Sequence, residues 1–195
     1  EIVAKEGNIS NPNFRLAWKF NISGMSMDKA WTVFIDAETG ELIYKNSLVA
    51  NDVIGTTTTY YNGTQNIKCS FYSVSGYYLL AENNRGASAN QAIYTLTANN
   101  DTLPPSGNVW NSMQYIGSTT ASFTDDAVAG SAHWGIEQAY DFYTQFGRNS
   151  FDNNGTYILN LVHYGTGHNN AFWSNYDTVM CYGDGDGSFM DYVVG

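Results

Sequence analysis

Three histidines, two cysteines and a run of asparagine, glycine and aspartate carry the chemistry available to this chain of 195 residues. His133, Glu137 and Asp141 recur at four-residue steps, the spacing that lines one face of a helix. That stripe has donor types for a metal ion, and it equally suits a solvated or supporting face. His163 and His168 stand further on, and no two histidines are four apart with a glutamate between them. A helix-borne zinc site with a glutamate base needs that spacing. Cys69 and Cys181 form no Cys-x-x-Cys pair, which argues against a structural zinc site. They leave open either a disulfide or two buried thiols.

The densest stretch runs from His163 to Gly187. Tyr157, Leu159, Leu161 and His163 alternate with Ile158, Asn160, Val162 and Tyr164, which predicts a strand. Gly165 and Gly167 then break it. Asn169 and Asn170 precede three apolar residues, Ala171, Phe172 and Trp173, a poor composition for a solvated loop. One reading is an exposed strand edge whose backbone groups, with the Asn170 amide, pair with an extended peptide. The other is an ordinary turn entering a buried strand. The aspartates of Gly183–Gly187 are expected to cap turns, and its glycines to take unusual backbone angles.

The elements that must position these residues are mostly strands. Leu16, Trp18, Phe20 and Ile22 alternate with Arg15, Ala17, Lys19 and Asn21, predicting a half-buried strand. Trp31, Val33 and Ile35 share one face of the next strand, and Asp36–Gly40 supplies turn chemistry before a third strand at Leu42–Tyr44. Ser47–Gly55 reads as a linker. Thr56–Tyr61 favours strand, Asn62–Gly63 a hairpin turn, and further strands fall at Ile67–Val74, Tyr77–Ala81 and Ala92–Leu96. Asp101–Val109, with Pro104 and Pro105, predicts a loop. One long helix follows. Thr124 is the expected N-cap, with Asp125 and Asp126 at the positive end of the dipole. Its expected apolar face is Val128, Ala132, Gly135, Ile136, Ala139, Phe142, Tyr143 and Phe146, ended by Gly147. Ala132, Gly135 and Ala139 are expected to permit close packing on a sheet. The fold class is therefore α+β: mostly antiparallel sheet with one long helix, plus a small N-terminal β unit.

A net charge of −10 argues against nucleic acid and anionic membrane as partners. No apolar run reaches the roughly 18 residues of a membrane span. Sparse charge with many Tyr, Asn, Gly, Thr and Ser suits a secreted β-rich protein.

The motifs add a family resemblance. Asn84-Arg85-Gly86, then Ala132–Tyr143 (AHWG…AYDFY), then Asn169–Trp173 (NNAFW), then Tyr182–Gly187 (YGDGDG) stand in one order. In that order the chain from about Val53 to Gly195 resembles the N-terminal half of a thermolysin-like zinc metallopeptidase catalytic domain. Pro12–Leu48, through AWTVFIDAETGELIYKNSL, resembles the end of a PepSY-type propeptide. The resemblance implies domains at 1–50 (propeptide) and 51–195 (catalytic, N-terminal half).

It also implies roles. Asn170 would bind peptide or protein substrate through its side chain and Ala171 through its backbone, while Phe172 and Trp173 line or support the cleft. The family's His-Glu-x-x-His would begin just past Tyr192-Val193-Val194-Gly195. The expectation is thus a truncated piece of a secreted, monomeric zinc metalloendopeptidase, inactive alone, with zinc ligands outside the chain and the propeptide as intramolecular inhibitor. The family's acidic calcium ligand before the zinc helix would fall on Tyr192, one step after Asp191, and its acidic calcium ligands after the first Trp would fall where Asn-Ser-Met-Gln follows Trp110, so the chain departs from the family's calcium pattern at both places. Two other readings stay open: an inhibitory or folding module, and an aromatic-rich extracellular module binding glycans.

Overall fold

The computed structural model describes residues 2–4, 14–23, 30–47, 51–72, 76–85, 92–103 and 113–194. The proline loop at 104–109, the polar break at 24–29, Gly86 and Trp110 lie outside the described residues. The chain divides into two compact units, Glu1–Ala50 with Tyr72–Ser75, and Asn51–Phe71 with Gly76–Gly195. The architecture is α+β.

The first unit holds an antiparallel four-stranded sheet in the order β1 (Ile2–Ala4), β2 (Phe14–Ser23), β3 (Ala30–Asp36), β4 (Leu42–Ser47). The expected turn joins β3 to β4. The Asp36 carboxylate accepts the N–H groups of Glu38 and Thr39, and Gly40 takes φ +74. The expected apolar row of β2 is exposed, and of its alternates only Ala17 is buried. Leu16 and Trp18 are 62% and 63% exposed, whereas Ala17 is 3% exposed. The face of the alternates carries the partners. Arg15 donates to Asp36 at 2.6 Å, Thr32 donates to Asn21 at 2.9 Å, and Phe34 stacks on Tyr44.

The second unit begins inside the stretch expected to be a linker. Ser47 ends β4, and Asn51–Gly55 is already the start of β5 (Asn51–Thr59). β5 pairs with β6 (Gly63–Tyr72) through the expected hairpin, where Gly63 takes φ +68. These two sit in a five-stranded sheet with β7 (Tyr77–Leu79), β11 (Gly117–Ser118) and β12 (Ser122–Phe123), in the order β11-β7-β6-β5-β12. The other sheet holds β8 (Ala81–Glu82), β9 (Ile93–Thr97), β10 (Gln114–Tyr115), β13 (Ile158–Val162), β14 (Ala171–Ser174) and β15 (Val179–Tyr182). Its order is β10-β9-β13-β15-β14, with β8 also on β9. Its centre is parallel, since β13 pairs in parallel with both β9 and β15. All five residues of β13 are buried, as a strand covered on both faces requires. Leu159 and Leu161 fill one core cluster with Val179 and Cys181, while Val162 joins another with Val128 and Ala132.

The helix α1 (Ala127–Thr144) packs on β5, β9 and β13. Its N-cap is Asp126, not Thr124, because the Asp126 carboxylate accepts the Ala129 N–H at 2.9 Å. The expected apolar face is buried at Val128 and Ala132 and fails toward the C-terminal end, where polar residues share the buried side. Ser131, His133 and Glu137 are buried, whereas Phe142, Tyr143 and Phe146 are exposed. The close approach to the sheet belongs to Gly130, where an added Cβ would lie 2.0 Å from the Thr57 hydroxyl; around Gly135 there is open space. Cys69 and Cys181 are free, buried thiols in different core clusters. No helix among the described residues is long and apolar enough to cross a membrane.

Candidate functional site

Among the described residues β14 is the last strand of its sheet and pairs only with β15. The register sets Ala171 opposite Tyr182, Phe172 opposite Cys181 and Trp173 opposite Met180. One step earlier, the Gly183 N–H donates to the Asn170 carbonyl at 3.0 Å. In an antiparallel ladder, hydrogen-bonded and open pairs alternate. Asn170 and Phe172 therefore turn their backbone groups toward β15, and Ala171 and Trp173 turn theirs outward. Two N–H and two C=O groups face away from the sheet, the arrangement that adds an extended peptide as a further strand.

The side chains divide by the same parity. Phe172 packs against the core cluster and meets the Tyr164 ring edge-on at 5.1 Å. Trp173, on the opposite face, meets Phe151 at 5.0 Å. Asn170 is exposed, and its amide makes no side-chain hydrogen bond among the described residues.

Behind this edge lies the Gly183–Gly187 loop, zipped to the residues that lead into β14. Gly185 N–H donates to the His168 carbonyl at 3.1 Å. Asn169 and Asp186 exchange two bonds: the Asn169 amide donates to the Asp186 carboxylate at 2.7 Å, and the Asp186 N–H returns to the Asn169 side-chain oxygen at 2.8 Å. The Asp186 carboxylate also accepts the N–H groups of Ser188 and Phe189, and these bonds hold it at about 2. Glycine is demanded at two positions. A Cβ on Gly183 would lie 2.0 Å from the His168 carbonyl oxygen, and Gly185 at φ +74 has the Met190 carbonyl 2.2 Å from that place.

The loop is also tied to α1. His163, at the end of β13, takes φ +54. Its Nδ1 lies 2.8 Å from one Asp184 oxygen and 3.0 Å from the other, and its Nε2 lies 3.1 Å from Asp126. Sequence reading missed the roles of His163, Asp126, Asp184 and Asn169. No local signal marks them, because Asp184 stands 21 positions and Asp126 37 positions from His163.

The His133–Glu137–Asp141 stripe is a separate matter. His133 and Glu137 are 0% and 2% exposed, which rules out a solvated face for both. Arg85, from the Asn-Arg-Gly motif, reaches Glu82, Glu137 at 2.9 Å and Asp141 at 2.6 Å. Burial pushes the Glu137 carboxyl up to about 7 against the Lys68 N–H that donates to it. His133 donates from Nε2 to the Lys68 carbonyl at 3.0 Å and accepts at Nδ1 from Thr95 at 2.9 Å. That tautomer is neutral, and burial holds the ring down to about 4.

Two of the three histidines thus have no ring nitrogen left for a zinc ion. His133 spends both nitrogens on Thr95 and Lys68, and His163 on two carboxylates. His168 sits edge-on to Tyr164 and Phe172. Among the described residues no three His, Cys, Asp or Glu side chains are placed to hold a metal ion.

With this geometry in hand, known proteins give the frame. Bacillolysin of Bacillus amyloliquefaciens is 36% identical over 187 residues, covering 93% of this chain and 34% of its own length. Bacillolysin of Bacillus subtilis (strain 168) is 34% identical over 188 residues, with 94% and 34% covered. Thermolysin of Alicyclobacillus acidocaldarius subsp. acidocaldarius is 34% identical over 196 residues, with 93% and 34% covered. The chain therefore spans about a third of the length of these relatives. Among solved structures, the precursor of protealysin, a metalloproteinase from Serratia proteamaculans, aligns at 32% identity with a TM-score of 0.42, over 51% of this chain and 29% of that one. The family model for the thermolysin metallopeptidase catalytic domain matches residues 54–195, and the chain belongs to that family.

Proposed function

We propose that this chain supplies the peptide-binding edge of a secreted zinc metalloendopeptidase and the scaffold that holds it. Asn170 contributes its side-chain amide to the substrate. Ala171 and Trp173 contribute outward backbone groups, and Phe172 anchors the strand to the core. Residues 1–50 are the end of a propeptide that inhibits the enzyme intramolecularly, and residues 51–195 are the first half of the catalytic domain. The zinc ligands belong to the part of the relatives' length that this chain does not span, and the chain alone cleaves nothing. The substrate is a protein or peptide, taken in extended form by a monomeric enzyme.

The observation that carries this reading is the parity of β14, which leaves the backbone groups of Ala171 and Trp173 turned outward from the sheet's last strand. Family membership supports peptide hydrolysis as the chemistry. Proline makes the test direct. Proline is tolerated on an edge strand where its missing N–H faces outward, and it breaks a ladder where the N–H is paired. In the full-length protease, Ala171→Pro is expected to fold and to lose peptide affinity, and Phe172→Pro to lose the fold. Full activity of a folded Ala171→Pro enzyme sinks the assignment.

A further inference from the structure

The geometry around His163 points to a second role at the same edge. The ring lies between carboxylates on two different elements, with Asp184 at 2.8 Å from Nδ1 and Asp126 at 3.1 Å from Nε2. A neutral imidazole has one N–H, so one of these contacts would set a lone pair against a carboxylate. Only the imidazolium donates to both. The backbone is held in the left-handed region, φ +54, while the Asn100 N–H donates to the His163 carbonyl at 2.8 Å. A non-glycine residue kept there by its surroundings is a mark of constraint at a functional place.

We propose that His163 is a positioning residue for the peptide-binding edge: as an imidazolium it clamps the Gly183–Gly187 loop to the N-terminus of α1, and its deprotonation releases that loop. The inference rests on the reading of β14 as the substrate strand. The path is short. Asp184 lies between Gly183, whose N–H holds the Asn170 carbonyl, and Gly185, whose N–H holds the His168 carbonyl. Asp126 uses its other oxygen to cap α1 at Ala129. A shift of Asp184 therefore moves the partners of His168 and Asn170, the residues that set the angle of β14.

The charge balance agrees. The Asp126 bond is the largest influence on the ring; burial opposes it, Asp184 adds to it, and His163 is raised to about 9. Although burial pushes the Asp126 carboxyl up, the His163 ring and the Ala129 N–H bring it below the usual range. Of the other acids on the segments packed around the ring, Asp101 and Asp125 are exposed and Asp186 is bonded to Asn169. Tyr182 stays neutral, its phenol pushed up to about 12 by burial. Tyr164 and His168 pack edge-on against each other.

A histidine raised in the folded state contributes stability that is complete below its unfolded value, near 6.5, and lost as pH rises through about 9. The test uses the full-length protease as wild type, His163→Gln and Asp184→Asn. The unfolding midpoint of wild type should exceed that of His163→Gln at pH 6, and the gap should narrow from about pH 6.5 and be closed above about pH 9. The KM for an extended peptide should stay flat to pH 8 in wild type and rise about tenfold by pH 10, well inside the loss that a misplacement on the order of 1 Å can cause. In His163→Gln it should be high throughout. In Asp184→Asn the rise should move to lower pH, a change that loss of packing alone does not produce. A gap independent of pH, or an alkaline rise unchanged in both variants, overturns the clamp. So does a wild-type His163 ring that titrates below pH 7.5 by NMR, whether or not the variants fold. A wild-type enzyme without peptidase activity sinks the substrate-strand reading, and the unfolding and titration measurements still decide the clamp.

Discussion

Two regions of the catalytic-family unit carry polar residues at spacings that suggest chemistry, and they end in opposite states. On α1, His133 and Glu137 are buried and paired: His133 to Thr95 and Lys68, Glu137 to Lys68 and Arg85. At β14, Asn170, just before it, is exposed, and the backbone groups of Ala171 and Trp173 face away from β15, its only neighbouring strand among the described residues. The helix stripe has the more suggestive residue types, and the edge strand has the free hydrogen-bonding capacity. A polar group whose partners are all internal stabilises a fold, whereas one left open at a surface is available to a ligand. Spacing along the chain does not separate the two cases; the list of partners does.

The sharpest break of this contrast is Arg85→Ala. It leaves the Glu82 and Glu137 carboxylates buried without their shared cation. The expected loss is about 3–5 kcal/mol of folding stability, measured by urea denaturation. A loss below about 1 kcal/mol would move the helix stripe out of the structural class.

The second test uses pH. His133 is held at about 4, below the 6.5 of an ordinary histidine. A depressed base contributes stability that is present above its unfolded value and is lost as pH falls toward the folded one. Wild type should therefore lose on the order of 3 kcal/mol between pH 6.5 and 4 relative to His133→Gln. Parallel stability curves for the two proteins would show that the ring is not buried neutral.

Phe172→Ala probes the inward side of the edge strand. Phe172 is half-buried against the core cluster, so the expected cost is about 2–3 kcal/mol, below the range for a fully buried phenylalanine. An unchanged midpoint would mean that the strand is not anchored through this ring.

The smallest effect is expected at Asn170. Asn170→Ala in the full-length protease should lower activity by a few-fold to roughly tenfold, one hydrogen bond to substrate being worth about 0.5–1.5 kcal/mol. Folding stability should stay within about 0.5 kcal/mol. A large loss of stability with unchanged activity would place Asn170 beside the helix stripe as a structural residue.

Much of the local structure was legible in advance. Asp36–Gly40 and Asn62–Gly63 turn where their residue types demand, and the helix is present, with its start two residues later than expected. Such features depend on neighbours within one turn of chain, and the sequence carries that information. The edge residues Asn170 to Trp173 were also legible, through a motif rather than through periodicity.

Long-range pairing was not legible. On β2 the apolar row Leu16, Trp18, Phe20 and Ile22 is exposed, because alternation names two faces without saying whether either is covered. On α1 His133 and Glu137 are buried beside the apolar residues, and Arg85, far back in the chain, supplies Glu137 with a counter-charge that no helical pattern announces. The tie between Asn169 and Asp186, and the clamp of His163 between Asp126 and Asp184, likewise join residues that only the crossing of strands brings together. Sequence alone determined the class of fold, the turns, the helix and the family, since propensities and ordered motifs are local or additive. Which polar groups were closed inside and which strand was left open was decided by tertiary structure, because burial and hydrogen-bond satisfaction are properties of contacts between distant segments.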